Sequence, residues 1–293
     1  MKLKRVVAII ILYNPNLSVL NRSINSLKTQ VSKIVLVDNT SFNKKVEEFV
    51  ATLKDERIEY IPLGYNAGVA KAQNIGIEFA IGDNAEYVLI MDQDSITSEN
   101  MVSLLRDDLV ILRENGVEVG VIGPTPINKQ TQKAYEPRLR KKRFFLDKDT
   151  SIVKVNELIS SGSLIHSQVF AKVGLMDENL FIDGVDHEWC WRAKSLGYFS
   201  AMSTKATLEH MLGEGDRKIF GISIAITTPV RLYYQYRNYF YLTKKDYVPL
   251  YWKMNNFIKY CIKMIYYPLV VRPRLAYLNN IYRGIKEGIF YNP

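Results

Sequence analysis

Cysteine and histidine are scarce: two cysteines, Cys190 and Cys261, and three histidines in 293 residues. No CxxC spacing occurs, so neither a disulfide framework nor a zinc cluster organises the chain, and a reducing cytoplasm is the simplest expectation. Long apolar runs are also missing, and none approaches the roughly 18 residues that span a bilayer. The basic start and the apolar run Val6 to Leu12 look superficially like a signal peptide. Asn14-Pro15-Asn16 stands where a small-residue cleavage site would be expected, and a first core strand fits the run better. The glycine-rich loop of dinucleotide and Walker sites is absent too. Tyr13-Asn14-Pro15 follows the first apolar run instead, which weakens oxidoreductase, kinase and nucleotidyltransferase readings.

What is present is an excess of base. The formal net charge is +9, which points to an anionic partner such as phosphate, a membrane surface or nucleic acid. No nucleic-acid motif supports the last of these. Apolar runs alternate with helical patterns through the first half. Strands are expected at Val6 to Leu12, Lys33 to Val37, Ile58 to Ile61, Tyr87 to Met91 and Val119 to Ile122. The helices between them carry Leu17, Leu20, Ile24 and Leu27, then Val46, Phe49, Val50 and Leu53, then Ala70 to Ala80. That alternation predicts an α/β fold with a mostly parallel sheet flanked by helices. The polar, basic segment Asn128 to Asp149 shows no periodicity and reads as a surface excursion.

Five groups of residues have the chemistry for a site. Asp92-Gln93-Asp94 follows a buried strand, at the sheet edge where open α/β sheets bind ligands, and two carboxylates so spaced can share a hard divalent cation. The alternative is that Asp94 or Ser95 caps the next helix. Asp38 ends another strand along the same edge, and could accept a hydrogen bond from a nucleobase or ribose or simply form a turn. Gly64-x-Asn66-x-Gly68 permits close backbone approach, with Lys71 available to a phosphate, or it serves only as a tight turn. Asp186 and Glu188 open a later helix as candidate general bases, although Asp186 also suits a cap and Glu188 with Arg192 is an ordinary i,i+4 pair. His210 follows a strand and could complete a metal site.

Taken in order, Tyr13-Asn14-Pro15, Val37-Asp38-Asn39, Asn66-x-Gly68, Asp92-Gln93-Asp94, Asp186-x-Glu188 with Arg192, and His210 resemble the inverting family 2 glycosyltransferases over about residues 4 to 245. Asp92-Gln93-Asp94-Ser95, Ser161-Gly162-Ser163 and Phe181-Ile182-Asp183 look particularly like bacterial rhamnosyltransferases. The resemblance implies the type A glycosyltransferase fold with a helical C-terminal extension. It places a nucleotide-sugar-binding half at 1–125, an acceptor and catalytic-base half at 126–240, and a basic aromatic helical tail at 241–293.

By the same resemblance, Tyr13, Asn14, Asp38, Asn66, Gly68, Lys71, Asp92, Gln93, Asp94, Gly162 and Arg192 would contact the donor. Asp94, Asp92 and His210 would hold Mg²⁺ or Mn²⁺. Asp186 would be the base, with Glu188 as runner-up because Val185 replaces the family's usual glutamate. The implied reaction is inverting transfer of L-rhamnose from dTDP-β-L-rhamnose to a glycan or lipid-linked saccharide of a bacterial surface polysaccharide. A UDP-galactosyl or galactofuranosyl transferase, or a non-catalytic membrane or polyanion binder, are the alternatives. The tail interleaves Trp252, Phe257, Tyr260, Ile265, Tyr266 and Tyr267 with Lys253, Lys259 and Lys263. That pattern suits a peripheral helix on the anionic inner face of the cytoplasmic membrane, or else packing onto the domain or a homodimer interface.

Overall fold

The computed structural model describes residues 5–41, 44–128, 134, 142–143, 152–210, 216–219 and 222–290. Four parallel strands form one side of the sheet: β1 (Val6–Leu12), β2 (Lys33–Ser41), β3 (Ile58–Gly64) and β4 (Tyr87–Asp92), in the spatial order β3-β2-β1-β4. Helices α1 (Leu17–Leu27), α2 (Lys44–Leu53) and α3 (Val69–Gly82) connect them. Asn16 starts α1 by accepting from the Ser18 and Val19 amides at 3.1 and 3.3 Å, satisfying donors that have no partner within the helix.

Both faces of this sheet are covered, and the strand sequences show why. Along β1, Val7 and Ile9 enter one buried cluster with α3, while Val6, Ala8, Ile10 and Leu12 enter another with α1. Side chains alternate across a strand, so a continuous apolar run supplies two cores at once. Each fully buried Val, Leu or Ile contributes roughly 1.5–3 kcal/mol of transfer free energy.

Beyond β4 the sheet turns mixed. A two-residue strand β5 (Ile96–Thr97) and helix α4 (Met101–Glu114) precede β6 (Val119–Asn128), then come β7 (Lys142–Arg143), β8 (Ile152–Val155), β9 (Ser163–His166) and β10 (Phe199–His210). The order continues β4-β9-β6-β10-β8-β7, with β9 antiparallel to both β4 and β6, and β5 paired to β10. Helices α5 (Ser167–Val173) and α6 (Val185–Ser195) flank a short 3-10 turn at Glu178–Leu180. A two-stranded ribbon, β11 (Asp216–Ile219) with β12 (Ile222–Ala225), follows. Most of the excursion expected at 128–149 lies outside the described residues.

The chain ends in α7 (Pro229–Thr243), α8 (Leu250–Val270) and α9 (Arg274–Phe290). They share a small core of their own in which Leu232 and Tyr236 meet Tyr267, Tyr277 and Ile281. The expected boundaries can be located on these elements. The one at 241 falls inside α7, the helix on which α9 packs. The division at 125/126 falls within β6, one uninterrupted strand of the sheet.

Candidate active site

The carboxyl ends of the parallel strands carry a connected polar edge. At the end of β1, the Tyr13 amide donates to Gln93 Oε1 at 2.8 Å and the Gln93 amide returns a bond to the Tyr13 carbonyl at 3.2 Å. The Asn14 amide, at a positive φ of 47°, donates to Thr40 Oγ1 at the end of β2. Asn39 Oδ1 accepts from the Ala67 amide, and its Nδ2 donates to Asn66 Oδ1. The turns after β1, β2, β3 and β4 are thus tied to one another side chain to backbone.

Asp38 is buried at the end of β2, with one oxygen accepting from the Thr40 amide and the other from the Tyr60 hydroxyl at 2.8 Å. Burial, followed by that bond to Asp38, raises the Tyr60 hydroxyl above its ordinary pKa. The two residues line a recess of ≈ 230 Å³ with Thr40, Pro62 and Leu63. Tyr60 escaped the sequence reading because its only signal there is alternation along a strand.

Asp92, Asp94 and His210 converge, each offering a ligand atom within 4.8 Å of the others. The backbone explains the meeting. β5 pairs antiparallel to β10 with Ile96 opposite Glu209, and one further step of that register sets Ser95 against His210. Ser95 Oγ lies 2.8 Å from His210 Nδ1, and Ser161 Oγ lies 2.8 Å from Ser95 Oγ. The Asp92 amide in turn donates to Ser161 Oγ at 3.2 Å. For His210 Nε2 to bind a cation, Nδ1 must carry the proton and donate to Ser95. Asp94 and Ser95 do not cap a helix, because α4 starts only at Met101.

Asp92 leaves 45% of its side-chain surface open. Burial, then the charges of Asp94 and Asp186, push its carboxyl up to about 7. Three carboxylates therefore share one electrostatic neighbourhood, the condition a divalent cation relieves. Burial pushes His210 below its usual value despite the pull of Asp94, which favours the neutral, ligating imidazole. Two carboxylates and an imidazole fit a divalent cation, and suit Mn²⁺ better than the oxygen-preferring Mg²⁺.

Asp186 lies in the first turn of α6, behind a left-handed Gly184. Its oxygens accept from the Ser160 amide at 3.2 Å and the His187 amide at 2.9 Å. It is not the helix cap. The turn Ser160-Ser161-Gly162 thus reaches both Asp186 and the Ser95–His210 pair. Gly162 has φ of +84°, and a Cβ there would lie 2.6 Å from Pro124, so only glycine lets this turn close.

Comparisons with known proteins identify the family and the fold. The model of glycosyl transferase family 2 matches residues 7–174, more than half of the chain. The chain belongs to glycosyl transferase family 2. Over an alignment of 302 residues this glycosyltransferase is 35% identical to the dTDP-rhamnosyl transferase RfbF of Shigella flexneri, covering 97% of the chain and 98% of that relative. It is 24% identical over 175 residues to the low-salt glycan biosynthesis hexosyltransferase Agl10 of Haloferax volcanii, covering 56% of the chain and 54% of Agl10.

Among solved structures, GalNAc-T7 with UDP, GalNAc and Mn²⁺ superposes with a TM-score of 0.61 at 14% identity, over 98% of this chain and 56% of that one. S. aureus TarS 1-349 with UDP-GlcNAc gives 0.58 at 15% identity, over 97% of this chain and 81% of that one. At such identities the likeness establishes the type A fold.

Three side chains expected at the site have protein partners in this glycosyltransferase. Arg192, expected at the donor, points its guanidinium at Glu188 and at the carbonyls of Val173 and Leu175. Glu188, the runner-up base, is fully buried and also accepts from the Tyr247 hydroxyl at 2.7 Å. A carboxylate so enclosed by permanent donors cannot reach an acceptor hydroxyl, so Glu188 and Arg192 hold α6 in place. Lys71, expected at a phosphate, pairs with Glu178 at 3.1 Å. The first amides of α3 are occupied too, because Val69 and Ala70 donate to the Phe181 carbonyl. Gly68 fits that contact: a Cβ would lie 2.5 Å from the Phe181 ring. The Asn66–Gly68 turn therefore docks the 181–184 loop against the donor half.

Proposed function

We propose that this glycosyltransferase is a metal-dependent, inverting rhamnosyltransferase that takes L-rhamnose from dTDP-β-L-rhamnose and passes it to a saccharide hydroxyl. The observation that carries the mechanism is the convergence of Asp92, Asp94 and His210 beside Asp186 at one end of the sheet. The donor assignment rests on the full-length similarity to RfbF. Asp38 and Tyr60 receive the nucleobase in the recess they line, and Tyr13, Asn14 and Gln93 contact the donor from the turns after β1 and β4. Asp92, Asp94 and His210 hold Mn²⁺ or Mg²⁺, which when bound neutralises charge on the departing nucleoside diphosphate.

Asp186 takes the proton of the acceptor hydroxyl as its oxygen attacks the anomeric carbon. The new C–O bond forms on the face opposite the diphosphate while the old one breaks, which converts a β-linked donor into an α-rhamnoside. The amides of Ser160 and His187 orient the Asp186 carboxylate for this work. The acceptor we infer is a glycan or lipid-linked saccharide.

The test is a donor screen with purified protein and Mn²⁺, read by release of nucleoside diphosphate and by NMR of the anomeric product. Release from dTDP-rhamnose with an α-linked product is the expected result. A preference for UDP-sugars would replace rhamnose by a galactosyl or galactofuranosyl donor, and a retained anomer would overturn the role of Asp186.

A further inference from the structure

Helix α8 is amphipathic the wrong way round for a helix of a soluble bundle. Tyr267 on its inner side is fully buried. On the outer side Leu250 (71% exposed), Met254 (54%), Phe257 (54%), Ile258 (51%), Ile265 (62%) and Leu269 (64%) recur at helical spacing. A 21-residue helix makes this stripe about 30 Å long. Helix α9 also exposes Leu275 (81%), Leu278 (50%) and Tyr282 (63%). An exposed apolar stripe as long as that of α8 marks a docking surface.

Charge identifies the occupant. Residues 250–290 contain seven Lys or Arg against one acid, Glu287, so this segment carries +6 of the chain's net +9. Arg272 and Arg274 stand exposed at the α8–α9 junction, and Lys259 falls on one flank of the stripe by its spacing on α8. A second copy of the chain would oppose the same positive face to itself, an arrangement with like-charge repulsion across it. Lipid headgroups of negative charge complement it. None of the described helices is long and apolar enough to cross a membrane, so the face lies on the bilayer surface and does not enter it as a span.

The inner side of the module is equally specific. Gly284 and Gly288 bring α9 so close to α7 that a Cβ at either would lie 2.5 Å from the Tyr233 carbonyl oxygen or 2.8 Å from the Arg237 carbonyl oxygen. Helix α7 also holds the catalytic loop. Asn238 Nδ2 donates to the carbonyls of Leu180, Ile182 and Asp183, and Arg231 pairs with the Asp183 carboxylate at 2.7 Å. The loop leading to Asp186 is thus anchored to the helix on which α9 packs.

We propose that the outer face of α8 and α9 docks this enzyme on an anionic phospholipid bilayer. Docking there sets the sheet edge and Asp186 at a constant height above the membrane, within reach of an acceptor carried on a lipid. The inference is independent of which sugar is transferred.

The experiment is co-sedimentation of the full chain with vesicles of phosphatidylcholine alone and of phosphatidylcholine mixed with phosphatidylglycerol. Binding at least about tenfold tighter to the anionic vesicles is expected, weakening with salt. The paired substitution Phe257→Ser and Ile265→Ser is expected to lower that binding about tenfold while donor turnover and the circular dichroism spectrum stay unchanged. Sedimentation velocity without lipid provides the second measurement. Equal binding to both vesicle types, no binding, or a wild-type dimer that becomes monomeric in the paired variant would each overturn the proposal.

Discussion

The sheet edge and the C-terminal helices solve opposite problems. At the edge, small polar side chains are clamped to backbone or to one another: Gln93 to the Tyr13 amide, Thr40 to the Asn14 amide, Asn39 to Asn66, Ser161 to Ser95 and Ser95 to His210. In α7 to α9, large aromatic rings and two glycines set the packing, as in Tyr267 against Tyr277 at 4.9 Å and α9 against α7 through Gly284 and Gly288. Short hydrogen bonds fix atoms in place, as chemistry demands. Aromatic packing fixes a helix as a body while leaving its far side apolar and open. The difference teaches that the site depends on individual atoms and the module on shape, so single substitutions should affect them differently.

The strongest way to separate the two regions is Asp186→Asn. We expect transfer to fall roughly 10³-fold with the melting temperature and Mn²⁺ affinity little changed, measured by nucleoside diphosphate release and calorimetry. Next comes Arg192→Ala, which leaves Glu188 buried without its cation. Stability should fall by about 3–5 kcal/mol in urea titration, and no selective rise in the donor KM is expected; such a rise without loss of stability would return Arg192 to the donor site.

On the helical side, Gly284→Val should displace α9 and cost about 2–3 kcal/mol, with kcat per folded molecule nearly retained. Ser95→Ala removes the acceptor for His210 Nδ1–H. We expect Mn²⁺ to bind about tenfold more weakly by titration calorimetry, with a smaller effect on fold.

The smallest effect concerns pH. The metal-free native state keeps a proton on Asp92 up to about pH 7, whereas the unfolded chain releases it near the ordinary carboxylate value. Between those limits the native state binds more protons, so metal-free stability should decline as pH rises and level off above about 7. Melting curves in EDTA would show this slope, and Asp92→Asn should flatten it.

Much of the fold was legible because its signals are local. Val6 to Leu12 reads as a first core strand and Tyr87 to Met91 as a strand buried on both faces, and β1 and β4 occupy those positions. Asp38, Asp92 and Asp94 were recognisable from their place after such strands. The mixed half was harder. Strands β5 and β9 are two and four residues long, too short for periodicity to show, and they owe their existence to the partners β10 and β4. Tyr60 and Ser95 were hidden for a related reason, since one reads as a strand residue and the other as a cap until cross-strand pairing reveals what faces them.

By itself the chain determined the alternation of strand and helix, the acidic sheet edge and a basic, aromatic C-terminus, because hydrophobic period and residue chemistry are written in adjacent positions. Tertiary structure alone decided that Glu188 and Arg192 brace α6 while Asp186 stays available, that Lys71 pairs with Glu178, and that the apolar stripe of α8 faces outward. The physical reason is that a carboxylate's role depends on its burial and donors. For Glu188 those come from residues as distant as Tyr247, 59 positions away.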